Sequence, residues 1–368
     1  MEISIKNKAI SETKVVVAMS GGVDSSTVAA LLKEKGYDVI GITLQLYDYA
    51  GAMKKGACCA GQDIYDAKMV AEKINIPHYV LNYESIFKES VMEDFADSYL
   101  RGETPIPCVR CNQSVKFRDL FKVAKDLGAD ALATGHYVRR VDSEHGVEMH
   151  GGLDPSRDQS YFLFATTKEQ LEYLHFPLGG MTKDETRKHA LRFGLEVADK
   201  PDSQDICFVP EGGYAKVIEK LRPGSLEPGD ILHIDGRIMG RHNGVINYTI
   251  GQRRGLGIAN PEPLYVIKLE PENNRVVVGP ESALYSQNCY IKNLNWLGNG
   301  EDVSEKVFNV KLRSTQKGVS AKIEILSDKT AKVKLLEPQS AITPGQACVL
   351  YDGSRMMGGG WITRDATI

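Results

Sequence analysis

The stretch SGGVDSS at residues 20–26 decides the fold of the first part of the chain. It follows the apolar run VVVAM at residues 15–19 and leads into TVAALL at residues 27–32, an order that predicts a strand, a loop and a helix. The two glycines permit positive φ and close backbone approach, and the two final serines begin a helix whose unpaired N–H groups and dipole favour an anion. The loop is therefore predicted to hold a phosphate group.

Two other interpretations explain this loop less well. It is not a Walker P-loop, because the chain contains no Gly-x-x-x-x-Gly-Lys-Ser/Thr motif. A simple strand-to-helix turn with a good N-cap would look similar, but Asp24 is more than a turn needs and suits a Mg²⁺ ion that bridges phosphates. We therefore favour a phosphate site.

The composition narrows the class of protein. A chain of 368 residues with 42% hydrophobic and 25% charged residues is large enough for two or three domains. It has no long apolar run or signal peptide pattern, so we expect a cytoplasmic protein with no membrane association. Seven cysteines without regular spacing favour thiol or metal chemistry in a reducing compartment. The net charge of -3 gives no overall attraction to nucleic acid, so such a partner would need a local basic surface.

The first half of the sequence alternates strand-like and helix-like segments. Strands are predicted at residues 37–44, 78–81 and 131–134, and helices at residues 64–74, 87–100 and 115–127. This alternation predicts an α/β fold with a doubly wound parallel sheet. Ligands bind beyond the carboxyl ends of such strands, where the loop at residues 20–26, the segment after Leu44 and the pair Gly135-His136 would meet.

The pattern changes near residue 212. Pro-Gly, Asp-Gly and Asn-Gly pairs there separate short apolar runs, which predicts hairpins. Beyond residue 280 the alternation of polar and apolar residues predicts a small β-barrel or sandwich. The alternating runs lie at residues 307–312, 322–326, 332–336 and 347–350. We expect three domains, at residues 1–211, 212–280 and 281–368, with a loose leader over the first dozen residues.

One cysteine has surroundings that suit thiol chemistry. In TPIPCVRCNQSVKF, residues 104–117, two prolines predict an extended approach to a helix that begins near Ser114. Cys111 would lie close to the start of that helix, with Arg110 and Lys116 nearby. Both features lower a thiol pKa, so we expect Cys111 to favour the thiolate.

The other cysteines are less informative. Cys207 lies where a polar loop enters a short apolar strand, and in isolation it would be interpreted as a core residue. Cys289 and Cys348 lie in strand-like runs and are most simply core residues. The adjacent pair Cys58-Cys59 suits a loop or packing role, and we assign it no function.

Five separated motifs carry a resemblance to a known family. They are SGGVDSS at residues 20–26, GHY at 135–137, RDQSYFL at 157–163, DSQDICF at 202–208 and YTIGQRRGLGI at 248–258. In this order, spanning nearly the whole chain, they resemble the MnmA family of bacterial tRNA-specific 2-thiouridylases, which are PP-loop ATP pyrophosphatases. The resemblance implies a Rossmann-like catalytic domain, a small mostly-β central domain that recognises tRNA, and a C-terminal β-barrel.

The resemblance also implies an activity, the ATP-dependent 2-thiolation of the wobble uridine in the tRNAs for lysine, glutamate and glutamine. ATP adenylates the uracil C2 oxygen and releases pyrophosphate, and sulfur then displaces AMP. By motif position, Cys207 would carry a persulfide, and Cys111 would release the outer sulfur as hydrosulfide, or aid its transfer, and close a transient disulfide with Cys207. The implied cofactors are ATP and Mg²⁺. The implied partners are the tRNA anticodon arm and a sulfur donor protein, either a cysteine desulfurase or a relay protein.

The sequence departs from the best-known form of this family at Cys108, where that form has an aspartate proposed as an acid/base. The acid/base role is therefore in doubt here. Cys108, Cys111 and Cys207 could instead hold a [4Fe-4S] cluster whose free iron carries the sulfur. In the other interpretations Cys108 is a spectator or resolving thiol, or it helps to bind structural zinc together with Cys58-Cys59.

Binding residues follow from the same resemblance. The ATP-binding positions are Ala18, Met19, Ser20, Gly21, Gly22, Val23, Asp24, Ser25, Leu44 and Gly135. The tRNA-binding positions are His136, Arg157, Asp158, Gln159, Arg313 and Gln346. The basic group at residues 252–254 adds plausible phosphate contacts. For residues 157–159 the structural alternative is a capped turn before a strand at residues 161–165.

Two functions of other classes would use the same loop. An AMP-forming amide ligase or amidotransferase would not need both Cys111 and Cys207. A non-catalytic RNA-binding sulfur carrier would not need Asp24, Ser25 and the two glycines. Whether pyrophosphate release requires tRNA distinguishes these functions from thiolation.

Overall fold

The protein is described from a computed structural model. The described residues are 3, 5, 8–47, 60–202, 206–209, 213–298, 303, 306–327 and 329–364. They form two compact units: unit 1 comprises Met1–Val91, Cys108–Phe208 and Ser354–Met356, and unit 2 comprises Met92–Pro107, Val209–Gly353 and Met357–Ile368. In these ranges we find no helix with the length and apolar character needed to cross a membrane.

The strands, numbered along the described chain, lie in both units. They are β1 Lys14–Ala18, β2 Asp38–Gln45, β3 His78–Asn82, β4 Ala131–Ala133, β5 Val138–Ser143, β6 Gly146–Gly151, β7 Leu174–His175, β8 Pro228–His233, β9 Ile238–Asn243, β10 Tyr265–Glu270, β11 Arg275–Gly279, β12 Tyr285–Trp296, β13 Phe308–Lys311, β14 Val319–Ser327, β15 Thr330–Ser340, β16 Ala347–Asp352 and β17 Arg355–Thr363.

The α-helices are numbered in the same way. They are α1 Val23–Glu34, α2 Ala60–Lys73, α3 Glu84–Phe87, α4 Glu93–Leu100, α5 Pro107–Cys111, α6 Phe121–Asp126, α7 Lys168–Tyr173, α8 Lys183–Arg192 and α9 Tyr214–Leu221. Two π-helical segments, Lys88–Met92 and Asn112–Leu120, connect α3 to α4 and α5 to α6.

A parallel sheet organises unit 1. Its strand order is β3-β2-β1-β4-β7, and all of these neighbours pair in parallel. Val15 and Val17 in central β1 are fully buried and share a core with Leu32 of α1 and Ala190 of α8. Burial of each valine or leucine side chain contributes about 1.5–3 kcal/mol to stability. This sheet confirms the predicted doubly wound α/β fold.

The helix predicted at residues 115–127 begins much earlier in the structure. It starts at Pro107 and runs through α5 and the π-helical segment Asn112–Leu120 into α6. Proline fits the first turn of a helix because its missing N–H needs no partner there. The prediction that the helix begins near Ser114 was therefore wrong, and Cys111 lies inside the helical run.

Two further expectations were wrong. The run at residues 161–165 is not a strand, because Ser160–Leu163 form a 3-10 helix. Tyr161 and Phe164 are both buried, and a continuous buried run has no period that separates strand from helix. The leader is not loose at Ile3, which is buried and whose N–H donates to the Tyr37 hydroxyl at 2.8 Å.

Unit 2 contains two β structures. The first is a sheet with the order β10-β11-β8-β9, in which β11 and β8 are parallel. The second is a barrel with the order β12-β15-β14-β13-β16-β17, closed by antiparallel pairing of β17 with β12. Its core includes Ile291, Phe308 and Leu350. The predicted C-terminal barrel is confirmed, and the division into three domains at residues 211 and 280 stays a prediction.

Candidate active site

The glycine loop after β1 packs backbone against backbone. Gly21 has φ +74, and a Cβ there would lie 2.1 Å from the Asp63 carbonyl oxygen. A Cβ on Gly135, after β4, would lie 2.9 Å from the Ser25 backbone nitrogen. Side chains are therefore excluded at both positions, and the predicted approach of Gly135 to the loop is present.

The loop presents the start of α1 without a side-chain cap. Gly22 is the N-cap and brings no side chain that could accept from the first N–H groups of α1. Ser25 Oγ instead accepts from the Ser20 N–H at 3.0 Å and shapes the loop. Ser26 Oγ is buried and has no hydrogen-bond partner in the described part of the chain. These donors and the positive end of the helix dipole suit an anion.

The remaining ATP-binding positions follow from the strand ends. Ala18 ends β1, and Leu44 is the last residue but one of β2. Met19 and Val23 are almost completely buried, so they would shape the loop and act through their backbone. The positions predicted for ATP therefore lie at the carboxyl edge of the sheet, in the loop beside it or in the first turn of α1. Their role in binding stays a prediction.

Asp24 belongs to a network of charges that sequence reasoning missed. Lys183 Nζ lies 2.8 and 2.9 Å from the two Asp24 carboxylate oxygens and 2.6 Å from an oxygen of Asp202. The Tyr137 hydroxyl donates to Asp24 at 2.8 Å. Burial and the Asp24 charge raise the pKa of Tyr137 strongly, so it remains a donor. Lys183 is 7% exposed and begins α8 beside a capping box, a local signal that reveals nothing of its partners.

A second lysine, Lys200, connects the glycine loop to α2. Lys200 Nζ donates to the Gly21 carbonyl at 3.0 Å and to Asp63 and Asp66 of α2 at 2.6 and 2.5 Å. Burial lowers the pKa of Lys200, but the two carboxylates outweigh it and raise that pKa overall. The ammonium therefore stays charged and ties the glycine loop to α2.

Three thiols, Cys108, Cys111 and Cys207, come together in unit 1, and we call them the thiol cluster. Cys111 is buried, whereas Cys108 and Cys207 are exposed as residues. Burial of its sulfur, followed by the charges of Cys111 and Cys108, raises the pKa of Cys207 to about 12. A hydrogen bond with the Tyr47 side chain acts in the opposite direction. The mutual influence of the three sulfurs supports the predicted proximity of Cys111 and Cys207.

The expectation of a thiolate at Cys111 was wrong. Burial raises the pKa of this thiol, and the opposing charge of Lys116 does not compensate. The same two effects, in the same order, raise the pKa of Cys108. All three thiols are therefore protonated at neutral pH. The described residues contain no group of three or more His, Cys, Asp or Glu side chains arranged to hold a metal ion, and Cys58 and Cys59 lie outside them.

His136 lies next to this cluster as a neutral ring. Its Nδ1 is 2.8 Å from Thr134 Oγ1, and the ring stands edge-on between Phe117 and Phe176. Burial and then the charge of Lys116 lower the pKa of His136 to about 3. The ring can therefore exchange hydrogen bonds or stack on a base, but it carries no charge at neutral pH.

The side chains of residues 157–159 are engaged inside unit 1. Arg157 pairs with Asp202 at 2.8 Å. Asp158 accepts from the Ser160 N–H at 3.0 Å, and Gln159 accepts from the Tyr137 N–H at 2.9 Å. These contacts are those of a capped turn, although it precedes a 3-10 helix and no strand. Contact of these three residues with tRNA stays a prediction.

The two candidate tRNA residues of unit 2 also make internal contacts. Arg313 is exposed and donates to the Ser340 and Ala341 carbonyls at 3.1 and 2.6 Å. Gln346 donates to the Thr104 carbonyl at 2.8 Å. In the loop that precedes β10, Arg253 and Arg254 are exposed, as a phosphate-binding surface requires. Their contact with tRNA likewise stays a prediction.

Family models match three consecutive parts of the chain. Residues 13–211 match a model described as tRNA methyl transferase HUP domain, and residues 216–280 match one described as tRNA methyl transferase PRC-barrel domain. Residues 286–362 match a model described as Aminomethyltransferase beta-barrel domain. The first model alone covers more than half of the chain.

Curated relatives match over nearly their whole length. The tRNA-specific 2-thiouridylase MnmA of Rickettsia felis is 66% identical over 356 residues, which are 96% of this chain and 98% of that protein. The protein of the same name from Rickettsia conorii is 63% identical over 366 residues, 99% of each chain. A solved 4-thiouridine synthetase bound to RNA and ATP covers 53% of this chain and 45% of its own at 18% identity, and its TM-score of 0.38 is too low to support an argument. The two Rickettsia proteins and the family models show that the chain belongs to the family of tRNA-specific 2-thiouridylases.

Proposed function

We propose that the protein is a transferase of sulfur groups that uses ATP to replace the C2 oxygen of a tRNA uridine by sulfur. The carrying observation is that the same compact unit holds an uncapped glycine loop and the thiol cluster. Neither feature alone accounts for the chemistry, because the loop activates an oxygen and the thiols deliver the atom that replaces it. The substrate class comes from the relatives. We extend it to the wobble uridine of the tRNAs for lysine, glutamate and glutamine.

The first half-reaction activates a poor leaving group. The uracil C2 oxygen attacks the α-phosphorus of ATP, the bond to the β-phosphate breaks and pyrophosphate leaves. The loop and the first N–H groups of α1 would hold the phosphates, and Lys200 would keep the loop in place. A Mg²⁺ ion needs one or two carboxylates beside substrate phosphates, and Asp24 at the start of α1 fits that requirement. When bound, the ion would neutralise phosphate charge.

The second half-reaction moves sulfur between the two catalytic cysteines. The Cys111 thiolate attacks Sγ of the Cys207 persulfide, so that a Cys111–Cys207 disulfide forms and HS⁻ leaves. In this step the Cys111 sulfur is oxidised by one electron and the departing sulfur is reduced by one, while the oxidation state of the Cys207 sulfur does not change. HS⁻ then attacks C2 of the adenylated uridine, AMP leaves with the oxygen, and the proton on sulfur passes to solvent. An external dithiol must reduce the disulfide before the next turnover.

We assign no step to an iron–sulfur cluster. Cys108, Cys111 and Cys207 are all described, yet they are not arranged to hold a metal ion. Cys108 would then be a spectator or a second resolving thiol. The finer proposals are that His136, residues 157–159, Arg313 and Gln346 contact the tRNA, that a separate protein supplies the sulfur, and that the reaction takes place in the cytoplasm.

The test is the mass of the product nucleoside. Purified protein is incubated anaerobically with ATP, Mg²⁺, unmodified tRNA and a persulfide source, with and without iron–sulfur reconstitution, and the tRNA is digested. We expect 2-thiouridine in both samples, together with AMP and pyrophosphate in equal amounts. A nucleoside carrying an added methyl group, which has a different mass, would instead support the description attached to the family models. Pyrophosphate release that ignores tRNA would support the ligase alternative, and 2-thiouridine only after reconstitution would restore the cluster.

A further inference from the structure

Lys116 of unit 1 is unusual because its charge is partly withdrawn from solvent and has no partner among the described residues. It is half-buried on the π-helical segment that follows Cys111, and its ammonium has no hydrogen bond or ion pair with any described residue. Two other lysines of the unit that are withdrawn from solvent are paired, since buried Lys183 contacts Asp24 and Asp202, and half-buried Lys200 contacts two carboxylates of α2. Removing a charge from water without a partner is costly. An unpaired cation in this position indicates an anionic ligand that is present only in part of the reaction.

Several elements of unit 1 bring thiol, imidazole and phenol side chains towards this ammonium. Residues five apart lie about one turn apart on a π-helix, so Lys116 is on the same side as Cys111. The next residue, Phe117, contacts the His136 ring at 5.9 Å. Cys207, in the turn that also holds Phe208, is close enough for the charges of Cys111 and Lys116 to act on it, and Tyr47, two residues beyond β2, forms a hydrogen bond with it. The Lys116 charge influences all three thiols and His136.

Nearby groups do not supply this positive charge. His136 is neutral at physiological pH because burial excludes its charged form. Arg110, on the same helical run, directs its guanidinium to Gln113 at 3.3 Å, and the cation that opposes the raised pKa of Cys108 and Cys111 is Lys116. Tyr47 offers a hydrogen bond but no charge. An anionic sulfur in the thiol cluster therefore has Lys116 as its available counter-charge among the described groups.

We propose that Lys116 is the residue that stabilises the anionic sulfur of the transfer step, first the perthiolate on Cys207 and then the attacking thiolate of Cys111. The proposal rests on the proposed function and deepens it by naming the source of positive charge. A persulfide is more acidic than a thiol, so a single nearby cation is enough to favour its anion where the thiols of the cluster would otherwise stay protonated. The ammonium would accompany the negative charge as it moves from one sulfur to the next.

The test measures thiol acidity in the enzyme without tRNA or ATP. Lys116→Met removes the charge, Lys116→Arg keeps it, and Lys122→Met is a matched control at an exposed lysine on the adjoining α6. Alkylation by iodoacetamide is followed separately at each cysteine by peptide mass spectrometry between about pH 8 and 9.5, where the rate follows the thiolate fraction. We expect Lys116→Met to slow labelling of Cys111 and Cys207 by about threefold to tenfold, which corresponds to roughly half to one pH unit. Lys116→Arg and Lys122→Met should label like the unaltered protein.

The outcomes separate this proposal from the proposed function. If Lys116→Met labels at the unaltered rate while its thermal melting is unchanged, the proposal is wrong even when the unaltered enzyme thiolates tRNA. Weaker tRNA binding by Lys116→Met with unaltered labelling would also overturn it, because the cation would then serve an RNA phosphate. If the unaltered enzyme makes no 2-thiouridine, the proposed function fails, while the labelling experiment still reports on the cation. Should Lys116→Met not fold, Lys116→Gln takes its place.

Discussion

The thiol cluster of unit 1 and the pair Cys289–Cys348 in the barrel of unit 2 are two ways of burying sulfur. Cys289 and Cys348 are at most 2% exposed in an apolar core, and a hydrogen bond between them and burial raise the pKa of Cys348. The thiols of the cluster also have raised pKa values. They differ in having two exposed members and an unpaired lysine beside them. The thiolate is therefore disfavoured in both places, and access and a nearby cation distinguish the reactive site.

The same contrast extends to charge. Unit 1 holds Lys183 between Asp24 and Asp202 at the carboxyl edge of its sheet, whereas the described residues of the barrel include no buried Asp, Glu, Lys or Arg. Charges kept out of water must be paired, and their arrangement is costly to change. The charges that unit 1 keeps out of water for its chemistry thus lower its stability, and the barrel core has no such loss.

The largest expected effect is on tRNA thiolation, which should require the thiol cluster and should not require the barrel thiols. Cys207→Ser and Cys111→Ser should each lower tRNA thiolation by about a thousandfold or more, because each removes a sulfur that is covalently part of the transfer. Binding of tRNA, measured by filter retention, should change little. Cys289→Ala is the control and should retain thiolation for each folded molecule. Full activity in either serine variant would show that the altered thiol of the cluster is no more necessary for the reaction than a barrel thiol.

The next largest effect concerns stability. Lys183→Met leaves Asp24 and Asp202 facing each other without their shared cation. We expect the free energy of unfolding to fall by about 2–4 kcal/mol, below the value for a fully buried pair because both carboxylates keep some exposure. Urea unfolding measures it. Lys188→Met, an exposed lysine on the same α8, should change the free energy by less than about 0.5 kcal/mol.

The pH dependence of the free energy of unfolding tests whether Lys183 lowers the pKa of Asp202. Burial raises the pKa of Asp202, but the hydrogen bond and charge of Lys183, with Arg157 and Arg187, lower it overall. A carboxylate with a lowered folded-state pKa contributes stability above its unfolded pKa of about 3.9 and loses that contribution as the pH falls further. Urea unfolding followed between neutral and acidic pH should therefore show a shallower acid loss in Lys183→Met than in the unaltered protein. Parallel curves would show that Lys183 does not set the acidity of Asp202.

A smaller effect is the order in which a reagent in solution labels the cysteines, which should follow their exposure. Under native conditions near neutral pH, a maleimide should label Cys108 and Cys207 first and Cys111 more slowly, since only Cys111 of the three is buried. Cys289 and Cys348 should label only after the barrel opens. Peptide mass spectrometry over time measures the order. Labelling of Cys348 as fast as that of Cys207 would show that the barrel core is open to solvent.

Local features of the fold could be predicted from the sequence. The glycine loop and the strands at residues 37–44, 78–81 and 131–134 were placed correctly because a strand, a turn and a helix leave their signals in adjacent residues. The run at residues 161–165 was misassigned because its sequence is apolar throughout and shows no period. The start of the helix before Cys111 was also missed, although Pro107 is a recognised signal for a first helical turn.

The chemistry of the site depended on contacts that no local pattern encodes. Lys183 lies 159 residues from Asp24, and Lys200 lies 179 residues from Gly21, so neither pairing has a sequence signal. The sign of the Cys111 pKa shift was wrong for a related reason. Neighbouring positive residues can be read from the sequence, but the burial that outweighs them is a property of the folded chain.

The smallest expected effect tests the barrel thiols as packing residues. Cys348→Ala removes one buried sulfur, and we expect the free energy of unfolding to fall by about 1–2 kcal/mol for the small cavity that remains. Cys289→Ala should behave alike. The double variant should lose less than the sum of the two, because the sulfurs contact each other and each single change also removes the partner's contact. Urea unfolding of the four proteins measures this coupling, and thiolation by each folded molecule should stay constant. Additive losses would show that the sulfurs do not interact, while a fall in thiolation without a change in stability would give the barrel pair a part in the chemistry that its burial argues against.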